Sequence, residues 1–388
     1  MSDYSAFEVH CAKQESLLSY LQREAKLLSE VSLPQPINNT RISSAASIKS
    51  TLFPLFNSHV YVGSVRNVIL LKRKYLLTPD NSFIAEGLTH SDYFITWEGF
   101  DDSGLGLGKR LVQEDALISF TEAPLTETLD EPCIFIGGDT IVEPNFAHWF
   151  FEHLLKFRAL QVSGVDLGLP IVVSSRIPNR FLRWAELLIG RPLRWVRLDL
   201  SKPLRLIDAV VCSCPAYRRK IDASPTLWSH GFDFLASHFI RASADVAVPA
   251  IRPRVVFIGR SGAKWRRAIN EQELYEISNA MLGATKVEMA KLEPLEQVAI
   301  INSAEIIICF GGADGPVVNF CNPRARVIEI CAPTHAAFYT SLVFCANRRI
   351  DYTRLVAERF VGNRIGPHPL DSDYVVNAHS FREIVSAL

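Results

Sequence analysis

At 388 residues the chain exceeds the length at which a single hydrophobic core usually keeps growing, so two domains are expected. Hydrophobic residues at 48% and charged residues at 21% describe a core-rich globular protein and exclude a disordered bulk. Lys plus Arg and Asp plus Glu both number 41, and this zero net charge leaves no global footprint for nucleic acid or an anionic membrane.

The first residues lack the basic and apolar regions of a signal peptide. No apolar run reaches the roughly 18 residues of a membrane-spanning helix. A cytoplasmic protein, at most peripheral to the inner membrane face, is therefore expected. The eight cysteines form no CxxC pair and read as buried free thiols in a reducing compartment. In that setting the sequon at Asn38 carries no weight.

Residues 1–28 read as an amphipathic helix, with Leu17, Leu18, Leu21, Leu27 and Leu28 as its stripe. A linker with Pro34, Pro36, Ser43 and Ser44 follows, closing an N-terminal segment over 1–50. From Val60 to about Trp97, short β-rich runs broken by Pro, Asp, Asn and Gly predict antiparallel strands. From Cys133 strands alternate with helices: CIFIGG, a helix over 145–160, a strand over 170–175, and a helix over 179–189. RWVRL and LIDAVVCS complete this set as strands. The polar stretch 241–253 reads as an interdomain linker. Residues 51–245 thus form a first α/β domain with a β-rich start.

A second alternating set fills 253–345. It contains strand Val255–Ile258, helix Glu271–Leu282 with Gly283 as its stop, and a strand over 286–289. A helix from Pro294, a strand over 305–308, a glycine-rich turn, a short helix from Pro316 and a strand over 326–330 follow. Alternation of this kind predicts parallel sheets covered on both faces. The tail, 346–388, is expected to pack back on the first domain. The fold class is α/β, with two doubly wound halves facing a cleft.

Three stretches could carry chemistry. In VVFIGRSGAKWRRAINEQE a buried strand ends at Gly259, and Arg260, Arg266 and Arg267 follow before Asn270, which with Glu273 signals a helix start. Guanidinium forks there suit phosphate oxygens in bidentate fashion; the alternative is a solvated basic loop. In PNFAHWFFEHLLKF, Asn145, His148 and Glu152 share one helical face, while Phe150, Leu154 and Phe157 mark an apolar one. His148 suits general-base work with Glu152 as its orienter; the alternative is a capping asparagine and an ordinary i,i+4 pair. In the turn Gly311-Gly312-Ala313-Asp314, glycines permit close approach of a ligand and Pro316 opens a helix whose N–H groups face outward.

Taken together, NFxHWxxE, then strand-R-S-x-x-x-x-RR-x-x-NE-x-E-L, LEPLEQV and a glycine turn closing on NPxxxVIEI resemble glycosyltransferase family 61 across roughly 134–331. That family includes protein O-linked N-acetylglucosaminyltransferases, plant xylan transferases and bacterial surface-polysaccharide enzymes. The resemblance implies a GT-B arrangement, with 51–245 on the acceptor side and 253–345 binding the nucleotide sugar, and an inverting transfer without an essential metal or other cofactor. It also implies a nucleotide-sugar donor, UDP-linked by expectation, and a glycan or lipid-linked oligosaccharide acceptor. It places Arg260, Arg266, Arg267, Asn270, Gly311, Gly312, Ala313 and Glu329 at the donor, with Glu329 at the ribose. Asn145 and Trp149 fall on the acceptor side, and His148 and Glu152 at the catalytic centre; Glu271, Glu296 and Gln297 also match. The family's HGAG turn is here Gly311-Gly312-Ala313-Asp314, and its PPG is Asn322-Pro323-Arg324. A non-catalytic binder of nucleotide sugars or glycans, another GT-B enzyme such as an epimerase, and a nucleic-acid binder built on the Trp265-Arg266-Arg267 cluster are the competing readings.

Overall fold

The computed structural model describes residues 9–16, 27–31, 40–44, 47–53, 56–57, 60–71, 75–79, 82–86, 109–112, 115–121, 127–137, 145–200, 202–213, 215–217, 226–227, 229–246, 252–260, 262–263, 266–312, 315–333, 340–360 and 372–388. The chain divides into two compact units, Met1–Gln35 with Asn57–Trp228 and Pro36–Phe56 with Ser229–Leu388. Both are α/β, and each contains a run of parallel strands.

In the first unit four parallel strands carry the alternating region: β1 (Cys133–Gly137), β2 (Ile171–Ser174), β3 (Trp195–Leu198) and β4 (Leu204–Cys212). Their spatial order is β3-β2-β1-β4, so the order of strand addition reverses between β1 and β4, which stay parallel. Every residue of β1 and β2 is buried, as strands covered on both faces require. Beyond β4 the sheet turns antiparallel through Val60–Leu71, Tyr75–Leu77 and Ser82–Glu86, in keeping with the β-rich reading. Val65, Val68, Phe135, Val172, Leu206 and Val211 are the heart of its core.

Helix α1 (Phe146–His148), a π-helical stretch (Trp149–Leu154) and α2 (Leu155–Val162) run on from Asn145 without a break. Helix α3 (Asn179–Ile189) occupies the predicted span and ends at Gly190 in the left-handed region, φ 79°.

The second unit centres on β5 (Val255–Ile258), β6 (Thr285–Val287), β7 (Ile306–Phe310), β8 (Arg326–Cys331) and β9 (Asp351–Val356). They are parallel, in the order β6-β5-β7-β8-β9, which puts the reversal between β5 and β7. Helix α4 (Ser229–Ala242) precedes β5. Helices α5 (Glu271–Leu282), α6 (Pro294–Ser303), α7 (Thr340–Arg348) and α8 (Ala378–Ser386) follow in turn. The short helix expected from Pro316 is a 3-10 stretch, Gly315–Phe320, and Met289–Lys291 is a second one where a strand end was expected.

Four expectations need correction. Val9–Ser16 and Leu27–Val31 are strands, not helix; Val9–Ser16 pairs with Asp115–Thr121 and with Ser82–Glu86, and sheet pairing outweighs a leucine stripe. Leu17, Leu18 and Leu21 lie outside the described residues. The Pro/Ser linker contains a hairpin, Thr40–Ser44 with Ser47–Phe53, whose first strand joins β9 in parallel. The stretch read as a linker from 241 begins inside α4, and α4 belongs with the second unit: Asn319 Nδ2 donates to Phe232 O at 3.1 Å. The tail also stays with the second unit, because Phe381 and Val385 of α8 are buried in one core with Leu274 and Ile277 of α5. Burying two such side chains contributes about 3–6 kcal/mol, ample reason for the tail to dock there.

Among the described residues no helix is long and apolar enough to cross a membrane. Cys133, Cys212, Cys309, Cys321, Cys331 and Cys345 are buried free thiols; burial pushes the Cys133 and Cys212 thiols up to about 12, so they stay protonated.

Gly283 ends α5 at φ 67°, with open space where a Cβ would stand. Gly283→Ala should therefore act through backbone strain alone and lower stability by about 1 kcal/mol, measured by urea unfolding. An unchanged midpoint would contradict the assigned stop.

Candidate functional site

In the first unit, Asn145 is itself extended (φ −121°) and caps α1, its Oδ1 accepting from Ala147 N–H at 2.8 Å. That bond uses the group expected on the acceptor side. The helix then widens into the π-stretch, a local change of pitch that concentrates at functional sites. His148 Nδ1 lies 2.5 Å from Glu152 Oε1; the glutamate is only 7% exposed while the imidazole is 34% exposed. When Nδ1–H is given to Glu152, Nε2 keeps the lone pair a general base needs.

On its other side Glu152 Oε2 stands 3.8 Å from Nε2 of the buried His153. Lys156, also buried, donates to Ile136 O of β1 at 3.2 Å. In an ideal α-helix residues 148 and 153 diverge by roughly 140°; the wider π-turn brings both to one carboxylate. Burial first, then Lys156, pushes His153 down to about 3, while Glu152 pulls it partly back. His153 is therefore neutral at physiological pH.

Trp149 is fully buried, its ring stacked near Phe181 and tilted against Phe157. It steadies the helix, and the expected acceptor contact has no exposed surface to rest on.

In the second unit, the reversal of strand order between β5 and β7 marks the crevice where open α/β sheets bind ligands. Arg260 stands just past β5, 7% exposed, and donates from Nη1 to Gly311 O at 2.7 Å. Gly312 folds over it at φ 146°, and a Cβ there would come within 2.3 Å of Arg260 Nη1. Only glycine lets the turn close on the guanidinium. Arg260 N–H also donates to Glu271 Oε2 at 3.0 Å, and Glu271 Oε1 meets Lys286 Nζ at 2.7 Å. Ala313 lies outside the described residues.

Arg266 adopts φ 57°, a left-handed conformation unusual for a side chain of its size. Arg267 is engaged by Asp373, its Nη2 and Nε reaching Oδ2 at 2.7 and 3.1 Å and its N–H reaching Oδ1 at 2.9 Å. Asn270 does not cap α5 with its side chain. It exchanges hydrogen bonds with Val376 instead, which ties the helix start to the tail rather than closing the expected capping box. The capping pattern appears at α6, where Glu296 accepts from Glu293 N–H at 2.8 Å; Gln297 donates to Leu292 O.

Glu329 departs from the expected ribose contact. It is 2% exposed in β8 and accepts from Ser341 Oγ (2.6 Å), from Arg354 Nη2 and Nε (2.8 and 3.1 Å) and from the Tyr352 hydroxyl. With its oxygens so enclosed, it binds β8, β9 and α7 together. Sequence reasoning missed Asp373, His153, Lys156, Tyr352 and Arg354. The helical spacing of 152, 153 and 156 was visible; the partnership of residues 267 and 373, far apart in the chain, carried no local signal.

The structure thus gathers His148 with Glu152 in one unit, and Arg260 with Gly311 and Gly312 in the other, where Arg267 is held by Asp373. Among the described residues no group of three or more His, Cys, Asp or Glu side chains could hold a metal ion. Residues 146–328 match the family model described as Glycosyltransferase 61, a span that includes both clusters. No curated protein matches the chain.

Two outcomes follow from this geometry. Glu329→Ala strips Arg354 of its buried counter-charge and should cost about 3–5 kcal/mol of stability in chemical denaturation; a loss below about 1 kcal/mol would mean the pair is solvated. Because the folded state holds His153 near 3, below its unfolded value near ~6.5, the unfolded chain binds more protons between those limits. Its contribution is complete above about pH 6.5 and is lost progressively as pH falls toward 3. Urea midpoints of wild type should drop between pH 7 and pH 4 more steeply than those of His153→Gln, and parallel profiles would remove His153 as the cause.

Proposed function

From a chain whose residues 146–328 belong to glycosyltransferase family 61, and which is therefore a glycosyltransferase, we propose an inverting, metal-independent transfer. The donor is a nucleotide sugar, UDP-linked in this reading, and the acceptor is a hydroxyl of a glycan or lipid-linked oligosaccharide in surface-polysaccharide synthesis. The observation that carries the reading is positional. Each candidate cluster follows the first strand of its unit's parallel series, where the strand order reverses.

In the proposed reaction the two units act as facing halves of a GT-B enzyme. His148 Nε2 takes the proton of the acceptor hydroxyl, and the charge that forms on the imidazole is met by Glu152 across the 2.5 Å contact. The acceptor oxygen bonds to the anomeric carbon while the bond to the diphosphate oxygen breaks on the opposite face, inverting the centre. The electron pair leaves with the nucleoside diphosphate. Arg260, Arg266 and Arg267, with amides from Gly312 onward, meet that developing charge. Each charge-assisted hydrogen bond contributes about 1.5–3 kcal/mol. Arg267 reaches the donor while Asp373 fixes one edge of its fork, which sets its direction at the expense of reach.

A transfer assay over a panel of nucleotide sugars, paired with calorimetry on a nucleoside diphosphate, separates the two halves. His148→Ala should keep nucleotide affinity and lose transfer by roughly 10²–10⁴-fold. Arg267→Ala should weaken nucleotide binding by on the order of tenfold or more, and Arg267→Lys should restore only part, since an ammonium lacks the planar fork. Full turnover by His148→Ala would move the base to another residue. A folded Arg267→Ala that binds nucleotide like wild type would displace the donor site. Binding without turnover across all acceptors would identify a non-catalytic member.

A further inference from the structure

Residues 372–377 run alongside the loop between β5 and α5 much as an added strand would. Tyr374 N–H donates to Arg267 O at 3.0 Å, Ile269 N–H donates to Tyr374 O at 2.9 Å, and Ala268 and Tyr374 form a parallel bridge. Side chains fasten both ends. Asp373 grips Arg267 through guanidinium and backbone, and Asn270 gives Nδ2 to Val376 O at 2.9 Å while its Oδ1 accepts from Val376 N–H at 3.2 Å. This strap is therefore part of the same wall as the arginine loop.

Tyr374 occupies its centre. The residue is 1% exposed, and its ring belongs to the core that holds Ala268, Phe310 and Ile330. Its hydroxyl has no hydrogen-bond partner among the described residues. A buried phenol ordinarily finds one, and Asp373 and Asn270 beside it have theirs. Burial pushes the Tyr374 phenol up, Arg260 and Arg266 pull it back, and Cys331 and Glu329 push it further. The residue thus sits against the backbone of Arg267–Ile269 and within the electrostatic field of Arg260 and Arg266.

Resting on the donor-site reading above, we infer that Tyr374 is a further donor-site residue, its hydroxyl donating a hydrogen bond to an anionic oxygen of the nucleoside diphosphate. The class of ligand follows from the chemistry of the wall. Guanidinium groups offer donors only and repel cations, so an anion, which brings acceptors only, suits both them and an O–H. The phenol keeps its proton there and serves as a donor. The strap would then have two parts in the donor half: Asp373 aims Arg267, and Tyr374 contacts the ligand.

Tyr374→Phe keeps the ring and removes only the hydroxyl. Thermal unfolding without ligand, and calorimetric titration with UDP and with inorganic pyrophosphate, should be run on wild type, Tyr374→Phe and Arg266→Ala. The expected result is an unfolding temperature for Tyr374→Phe that is unchanged or higher, since no hydrogen bond to a described residue is lost. Affinity for both probes should fall roughly ten- to hundredfold, the worth of one hydrogen bond to a charged group. If Tyr374→Phe binds both probes like wild type while Arg266→Ala loses them, the donor site stands and the inference falls. A lowered unfolding temperature with unaltered affinity would make the hydroxyl a structural or water-bound group and overturn it too. If wild type binds neither UDP nor pyrophosphate, the donor-site reading fails, and the role of Tyr374 fails with it.

Discussion

A carboxylate shut away from water must be met by donors or it does not stay charged, and among the described residues four such groups organise this protein. Glu152 gathers His148 and His153; Glu271 holds Arg260 N–H and Lys286; Glu329 holds Ser341, Tyr352 and Arg354; Asp373 holds Arg267. Three of the four belong to the second unit, where they join strand ends, helix starts and the tail into a polar frame. The hydrophobic cores supply the driving force for folding. The carboxylates decide which strands and loops sit beside which.

That frame explains how far the sequence could be read. The parallel strands and their helices were legible because each is local: β5, α3 and α5 occupy the predicted spans, and Gly283 stops α5 as its type suggests. The partners of the buried carboxylates were not legible. Asp373 lies 106 residues from Arg267, and Arg354 lies 25 from Glu329, separations over which no periodicity carries information. The same reason underlies the misread N-terminus. Val9–Ser16 finds its strand partners at 82–86 and 115–121, so its backbone follows a sheet that its own residues do not announce.

The site residues divide in a similar way. His148 and Glu152 were readable as a pair because they are one turn apart, yet the π-stretch that sets their surroundings had no sequence signature. Arg260 was readable as a strand-end arginine. Its burial beneath Gly312 was not, since the glycine follows a different strand. Asn270, Trp149 and Glu329, expected at the site from the resemblance, are occupied by structural tasks: one ties down the tail, one packs a helix and one neutralises a buried guanidinium. A matching motif residue can thus serve the frame that holds the reacting groups.

The hairpin at Thr40–Phe53 has a consequence for how this molecule can be taken apart. It lies early in the chain, between segments of the first unit, but covers the outer edge of β9 in the second. No single cut therefore yields a contiguous second unit. A fragment beginning at Ser229 would present β9 with an open row of backbone donors and acceptors, the surface on which chains aggregate edge to edge. A soluble second unit would have to carry residues 36–56 grafted beside β9, through a circular permutation or a designed linker.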